Sequence, residues 1–535
     1  MVDQATPRRV RAPELVGLAV IVVAGWWLRL VGVTSLGLWR DDAWVAMGSR
    51  VSTGTALRMG ATAPGFTLIE RWWILLHPGS SSWAQALPVA LGLIGIVTMF
   101  ALARYLGLGA WLSLATAAFV ALSPVTISYS THVKQYSADI VLSCALLGLG
   151  ELARRRPGRR HLALLAVASV VGLVISASVA VVVVGVWAML ALTTFHQHDR
   201  LGEPDQPGRR NRVLMAGALT ALACGVVGLA LYGHLSSALH LFWSQQHRFL
   251  EATPAHKVVP QLASLGATAV LKMPTAAWVS TPIGIVVTAL ALVGLTAGAK
   301  VWSSSLPLSA ALVAAALGVI PWGTGRTDMV VYPALALLVA FGIDRLVRAA
   351  ARPTPAGSSG SSKSASSARS AAPGVRVAAA VATVVVLVGL VAMARTDVVR
   401  PAKYPAVNAS HLMHEVAAHE RPGDLVFVSS SSRYPWVLQS PDRPRLVFGT
   451  GWGAGYTVVS TRSDQFLAPS YSWETGFHPT QWARHTTGAR RLWFVGGGYP
   501  PSRRDQEYRA LLAVGWRPVG VLRAKGCVAV LMTRG

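Results

Sequence analysis

The sequence runs to 535 residues, 53% of them hydrophobic and only 13% charged, with a formal net charge of +26. So apolar and charge-poor a composition excludes an ordinary soluble domain, and stretches such as 179–190, VAVVVVGVWAML, lack the alternation of a membrane barrel and leave helices as the spanning elements. The Lys and Arg residues fall mostly between the apolar runs and near the chain ends, where they signal topology and meet anionic headgroups, so the charge points to membrane lipids and not to nucleic acid.

In chain order, Arg8, Arg9 and Arg11 precede a first apolar run from about Leu15 to Leu36. That run is long, contains Arg29 and lacks a small-residue cleavage site, so it reads as a retained span and not as a signal peptide. Further runs of about 20 residues, the length a helix needs to cross the hydrocarbon, follow it. About eleven spans are predicted, centred near Val23, Ile96, Phe119, Ala145, Val170, Val186, Ala223, Val287, Ala314, Leu337 and Val386. An odd number puts the termini on opposite sides. A cytoplasmic N-terminus then collects Arg104, the arginines of 154–160 and 200–212, Lys300 and those of 345–376 in the inner loops, as the Lys/Arg bias requires. One inner stretch, 353–375, is a Ser/Ala/Gly-rich tether with too few apolar groups to fold.

The opposite face receives segments 39–83, 128–137, 233–278 and 321–332, richer in Trp, Tyr, His and acids. Residues 70–73, Glu-Arg-Trp-Trp, fit an interfacial helix, and the histidines of 233–278 match no metal-ligand spacing, so that loop reads as a solvated helix or lid. Residues 396–535 change character and form a separate outer unit. Helical stretches at 411–420 and 504–512, apolar β-type runs at 424–429 and 491–495, and a closing hairpin at 520–532 predict a small extracytoplasmic α/β domain. Gly496–Gly498 has no following phosphate-binding helix pattern and reads as a turn, and Asn408 in Asn-Ala-Ser receives no role. The three cysteines, Cys144, Cys224 and Cys527, offer no pair placed for a framework disulfide.

Chemistry concentrates on the outer face. Asp41 and Asp42 adjoin just past the first span, where two like charges beside low dielectric should push one carboxyl upward and leave a general base at neutral pH. An Asp at a helix start is equally suited to capping. SPVTISYSTHVKQYSADIVLS adds His132, Lys134, Tyr136 and Asp139 at the membrane surface, where a cation could hold a lipid phosphate. GTGRTDMVVYP adds Arg326 and Asp328. Taken singly, Lys134 and Arg326 would be snorkelling cations and Tyr136 part of an aromatic belt.

In this order, the acidic pair, Ala63-Pro64, SSSWAQALPVALGLIG, the KQYS.D segment and GTGRTDMVVYPALALL resemble the GT-C superfamily of membrane glycosyltransferases. Within it the sequence is most similar to the protein O-mannosyltransferase and lipid A aminoarabinose transferase branch, over roughly residues 15–346. The resemblance implies a GT-C-like membrane catalytic domain over 1–395 and a polyprenyl-phosphate sugar as donor. It implies transfer with inversion to an extracytoplasmic glycan, lipid or protein; the high Ala, Val, Gly and Arg usage points to a bacterial source and hence a plasma membrane. It implies Asp41 as the base that deprotonates the acceptor, with Asp42 in the position of the family's Glu. Lys134 and Tyr136 match the family's motif, and Arg326 matches the basic residue that in relatives faces the carrier phosphate. At His132 many relatives carry Glu, a departure that bears on any contact to the sugar. No cofactor is firmly implied; a divalent cation on the outer carboxylates would point instead to transfer of larger oligosaccharide units. A lipid-linked sugar flippase is the rival from another class, but it would place its charges at the bilayer midplane, whereas here they gather at span ends.

Overall fold

The computed structural model of the protein describes residues 10–33, 37–201, 208–232, 286–287, 289–296, 302–317, 321, 327–350, 407–448, 456–469, 486, 488–497 and 501–534. Helix α1 (Ala12–Leu30) opens with Pro13 in its first turn, where the missing N–H costs nothing. Arg29, buried within it, donates to the carbonyls of Gly25 (2.9 Å) and Ala121 (3.1 Å). The second carbonyl belongs to the unsatisfied last turn of a neighbouring helix, which explains how an arginine is held inside the first apolar run.

Three short helices follow: α2 (Arg40–Ala46), prolonged by a 3₁₀ turn (Met47–Arg50), α3 (Thr53–Met59) and α4 (Pro64–Leu76). In α3 the Ser52 side chain accepts from the Thr55 N–H, and Gly60 closes the helix at φ +60°, so both ends are fixed by sequence. Helix α4 buries Phe66, Glu70 and Ile74 at a spacing of one turn and exposes Ile69, Trp72, Leu75 and Leu76. An apolar face left uncovered on such a helix suits the lipid interface.

The bundle continues with α5 (Ser81–Tyr105), α6 (Ala110–Leu122), α7 (Pro124–Tyr129), α8 (Tyr136–Arg155), α9 (Arg159–Ile175), α10 (Ala180–Leu201) and α11 (Arg209–Tyr232). After these come α12 (Trp302–Ala316), a 3₁₀ turn (Thr327–Val331) and α13 (Tyr332–Ala350). Helical backbone sits on each predicted centre from Val23 to Leu337. The centre near Val386, the tether 353–375 and the segment 233–278 lie outside the described residues. Among the described residues six helices are long and apolar enough to cross a membrane, and two shorter apolar ones, Ala110–Leu122 and Ser304–Ala314, accompany them. The expected eleven spans are therefore not all matched. Thirteen residues, the length of α6, rise only about 20 Å against about 30 Å of hydrocarbon. A continuous core of Ile96, Met99, Leu147, Val186 and Leu337 ties the bundle together, and this is an integral membrane protein.

The C-terminal region comprises α14 (Ala409–His419), α15 (Arg433–Gln439), α16 (Pro501–Ala513) and seven strands: β1 (Leu425–Val428), β2 (Arg445–Phe448), β3 (Tyr456–Val459), β4 (Gln465–Leu467), β5 (Arg491–Gly497), β6 (Trp516–Ala524) and β7 (Cys527–Arg534). Five form a sheet in the order β4-β1-β5-β7-β6, parallel across β4, β1 and β5 and antiparallel beyond; β2 and β3 pair separately. The helix and strand positions follow the apolar runs read from sequence. Pro518 falls on the edge strand β6 beside a register shift, where its missing N–H breaks no inner ladder.

Two sequence readings need correction here. Gly496 and Gly497 are strand residues, not a turn: a Cβ on Gly497 would lie 2.5 Å from the Gly526 carbonyl, so β5 and β7 approach only because it is absent. Asn408 does have a structural role, accepting from the His411 N–H as the cap of α14. The three cysteines are free, as expected.

The C-terminal sheet shares one core with the loop helices. Leu38, Val45 and Met47 pack in the same cluster as Val407, Trp436, Val458 and Val495. Gly37 makes the seam possible, because at φ +132° a Cβ there would meet the Val407 carbonyl at 2.1 Å.

Candidate active site

Helix α2 begins Arg40-Asp41-Asp42, so both acids sit in a first turn, where the helix dipole favours negative charge. The two diverge in surroundings. Asp42 is buried, and its oxygens accept from His132 Nδ1 at 2.8 Å and from the Val133 N–H at 3.0 Å. Asp41 is partly exposed and lines a small recess with Trp39, Asp42, Tyr129, His132, Lys134 and Tyr136. Five residues singled out from sequence, Asp41, Asp42, His132, Lys134 and Tyr136, thus come together across some ninety positions of chain. Arg326 lies outside the described residues, and Asp139 does not join them: it is fully buried within the first turn of α8.

The connection between α7 and α8 is what delivers the second set. Pro124 starts α7 after Ser123, and the short helix ends just before residues 130–135, which turn to present His132 and Lys134 on the side facing α2. The Trp39 and Tyr129 rings flank the imidazole at 5.4 and 5.7 Å, and Tyr136 meets Tyr129 edge-on at 5.1 Å. Lys134 Nζ donates to the Ala61 carbonyl at 2.9 Å and stands 4.8 Å above the Trp44 ring. This links the ammonium to the loop before Ala63-Pro64 and supplies a cation–π contact. At position 132 an imidazole can donate to the Asp42 carboxylate where a second carboxylate would repel it.

Sequence reading missed three contributors. Glu70 of α4 is buried with neither carboxyl oxygen bonded among the described residues. Burial and then the charge of Asp42 hold its carboxyl well above the usual carboxylate range. The one-turn spacing of Phe66, Glu70 and Ile74 was the available signal. Trp44 donates through Nε1 to the Tyr456 hydroxyl and stacks on Tyr434 at 6.0 Å, while Arg40 sits 6.0 Å from the same Tyr434 ring. Burial, with the Tyr434 phenol beside it, keeps Tyr456 neutral by raising its pKa. Arg50 Nη2 donates to the Ser440, Pro441 and Asp442 carbonyls at 2.5, 3.1 and 3.2 Å. The C-terminal region therefore braces α2 from behind. Among the described residues no group of three or more His, Cys, Asp or Glu side chains is placed to hold a metal ion.

No protein-family model and no curated protein matches the sequence. The fold is similar to solved structures of ArnT from Cupriavidus metallidurans. The apo form is 13% identical with a TM-score of 0.54, over 97% of this chain and 97% of that one. The form bound to undecaprenyl phosphate is 13% identical with a TM-score of 0.51, over 98% of each chain.

Proposed function

We propose that this protein, whose fold is that of the GT-C superfamily, is a glycosyltransferase that moves a monosaccharide from a polyprenyl-phosphate carrier to an extracytoplasmic glycan, lipid or protein. The observation that carries the reading is the shared recess of Asp41, Asp42, His132, Lys134 and Tyr136. ArnT has been solved with undecaprenyl phosphate, which supports a carrier of that chemistry here. The Lys/Arg distribution supports a cytoplasmic N-terminus, with the recess and the C-terminal region on the outer face of a bacterial plasma membrane.

In this reaction Asp41 takes the proton from an acceptor hydroxyl as its oxygen bonds to the anomeric carbon. The bond from that carbon to the phosphate oxygen breaks, and its electron pair leaves with the polyprenyl phosphate. Lys134 and Arg326 stabilise the charge that grows there, Tyr136 borders the carrier, and attack opposite the leaving group inverts the anomeric centre. Asp42 is a positioning residue in this scheme, because both of its oxygens are committed to the His132 ring and the Val133 N–H.

The test is transfer from a panel of radiolabelled polyprenyl-phosphate sugars by the protein in nanodiscs, wild type against Asp41→Asn. Release of free polyprenyl phosphate by wild type alone is expected and would name the sugar. Full activity in the variant would remove Asp41 as base; no turnover, with a lipid-linked sugar crossing vesicle membranes, would favour a flippase.

A further inference from the structure

A second groove, larger than the Asp41 recess, opens between the 3₁₀ turn that extends α2, the end of α4 and the connection from α15 to β2. Arg50, Arg71 and Arg443 all line it, and so do the hydroxyl residues Ser52 and Thr55. Among the described residues none of the three arginines pairs with a carboxylate. Arg71 donates to the Gly48 and Val51 carbonyls, and Arg50 to the three carbonyls that follow α15. Carbonyls orient a guanidinium without neutralising it, so three like charges line one groove, none of them in an ion pair among the described residues. The Nε of Arg50 is buried without an acceptor among the described residues. Arg443 is exposed.

Guanidinium forks on a rigid backbone suit the planar, multidentate recognition of a phosphate or carboxylate. Pro78 and Gly79 form part of the wall, directly after the exposed Leu75 and Leu76 of α4, so the mouth adjoins the apolar face assigned to the lipid interface. We infer that this groove is a binding site for a phosphate-bearing ligand, one end of it open to the membrane surface and its floor continuous with the helix that carries Asp41. Lipid headgroups and soluble phosphorylated sugars both carry such a phosphate; the chemistry recognised is the same. The inference does not rest on the transfer reaction.

Full-length protein in phosphatidylcholine nanodiscs is titrated calorimetrically with inorganic pyrophosphate at fixed ionic strength. Saturable binding is expected, weakened at least about tenfold in Arg443→Gln, a loss of about 1.4 kcal/mol. Arg443→Lys should retain part of it. Arg517→Gln, on the exposed edge strand, controls for bulk charge and should not change it, and Lys134→Ala reads any pyrophosphate bound at the proposed donor site separately from this groove. Replacing half the lipid by phosphatidylglycerol raises the apparent Kd for pyrophosphate if the headgroup is the natural source, and leaves it unchanged if the source is soluble. Absence of binding in both lipids, or equal binding by wild type and Arg443→Gln, overturns the site. Loss in Lys134→Ala alone does so too, and assigns the anion to the donor recess.

Discussion

Glu70→Gln isolates the electrostatics behind the Asp42 helix. The carboxyl is 1% exposed, neither oxygen has a donor among the described residues, and burial first and Asp42 second raise its pKa well above the ordinary 4.5. A group whose folded pKa exceeds its unfolded one holds more protons when folded. Its stabilising contribution is full below about pH 4.5 and is lost as pH rises through the folded value. Glutamine fills nearly the same volume and does not titrate. The variant should therefore match wild type near pH 4.5 and gain on it by about 1.4 kcal/mol per pH unit until the folded pKa is passed, where the gap levels off. Each kcal/mol corresponds to no more than about 2–4 °C in a chain this long. Thermal unfolding in nanodiscs, followed by tryptophan fluorescence from pH 4.5 to 8.5, reads the difference. Repeating it on an Asp42→Asn background should bring the levelling to lower pH. A gap that ignores pH, or a glutamine variant less stable than wild type at pH 8, would mean that Glu70 is ionised and paired, and the reasoning would fail.

Asp42→Asn in an otherwise wild-type chain should cost about 1.5–3 kcal/mol, since it weakens two charge-assisted bonds, whereas Asp41→Asn should leave the melting temperature within a degree or so while transfer disappears; comparing the two melts with the two rates checks the division of labour. Trp44→Phe keeps the stacking on Tyr434 but loses the bond to Tyr456, at about 1 kcal/mol, and should hasten release of the C-terminal region in limited proteolysis. Gly497→Ala forces a Cβ to 2.5 Å from the Gly526 carbonyl and should destabilise by about 1–3 kcal/mol, visible as lower yield and earlier melting; an unchanged melt would show that β5 and β7 can separate without cost.

Composition and the length of apolar runs reached the helices of the bundle because each is a local property of about 20 residues. The acidic pair and the KQYS segment were legible for a different reason: charged and aromatic residues at span ends are scarce enough to be conspicuous. What escaped was decided between distant parts of the chain. Glu70 reads as an interfacial acid until α4 is seen to turn it inward, and Asp42 reads as half of a catalytic pair until its oxygens are found bonded to His132 and Val133. One predicted span, at Phe119, falls on a short helix because α6 stops at Ser123, where Pro124 begins a separate helix. Nothing near Trp44 announces a partner 412 residues away.

That separation also sets a schedule. The ribosome makes about 5–20 residues per second, so the 412 residues from Trp44 to Tyr456 take about 20–80 s to synthesise. For nearly all of that interval Leu38, Val45 and Met47 have been made, while Trp436, Val458 and Val495, which later cover them, have not. The helix bearing Asp41 is thus translated well before the segments that brace it. A ribosome that stalls in between leaves that apolar face uncovered beside its carboxylates.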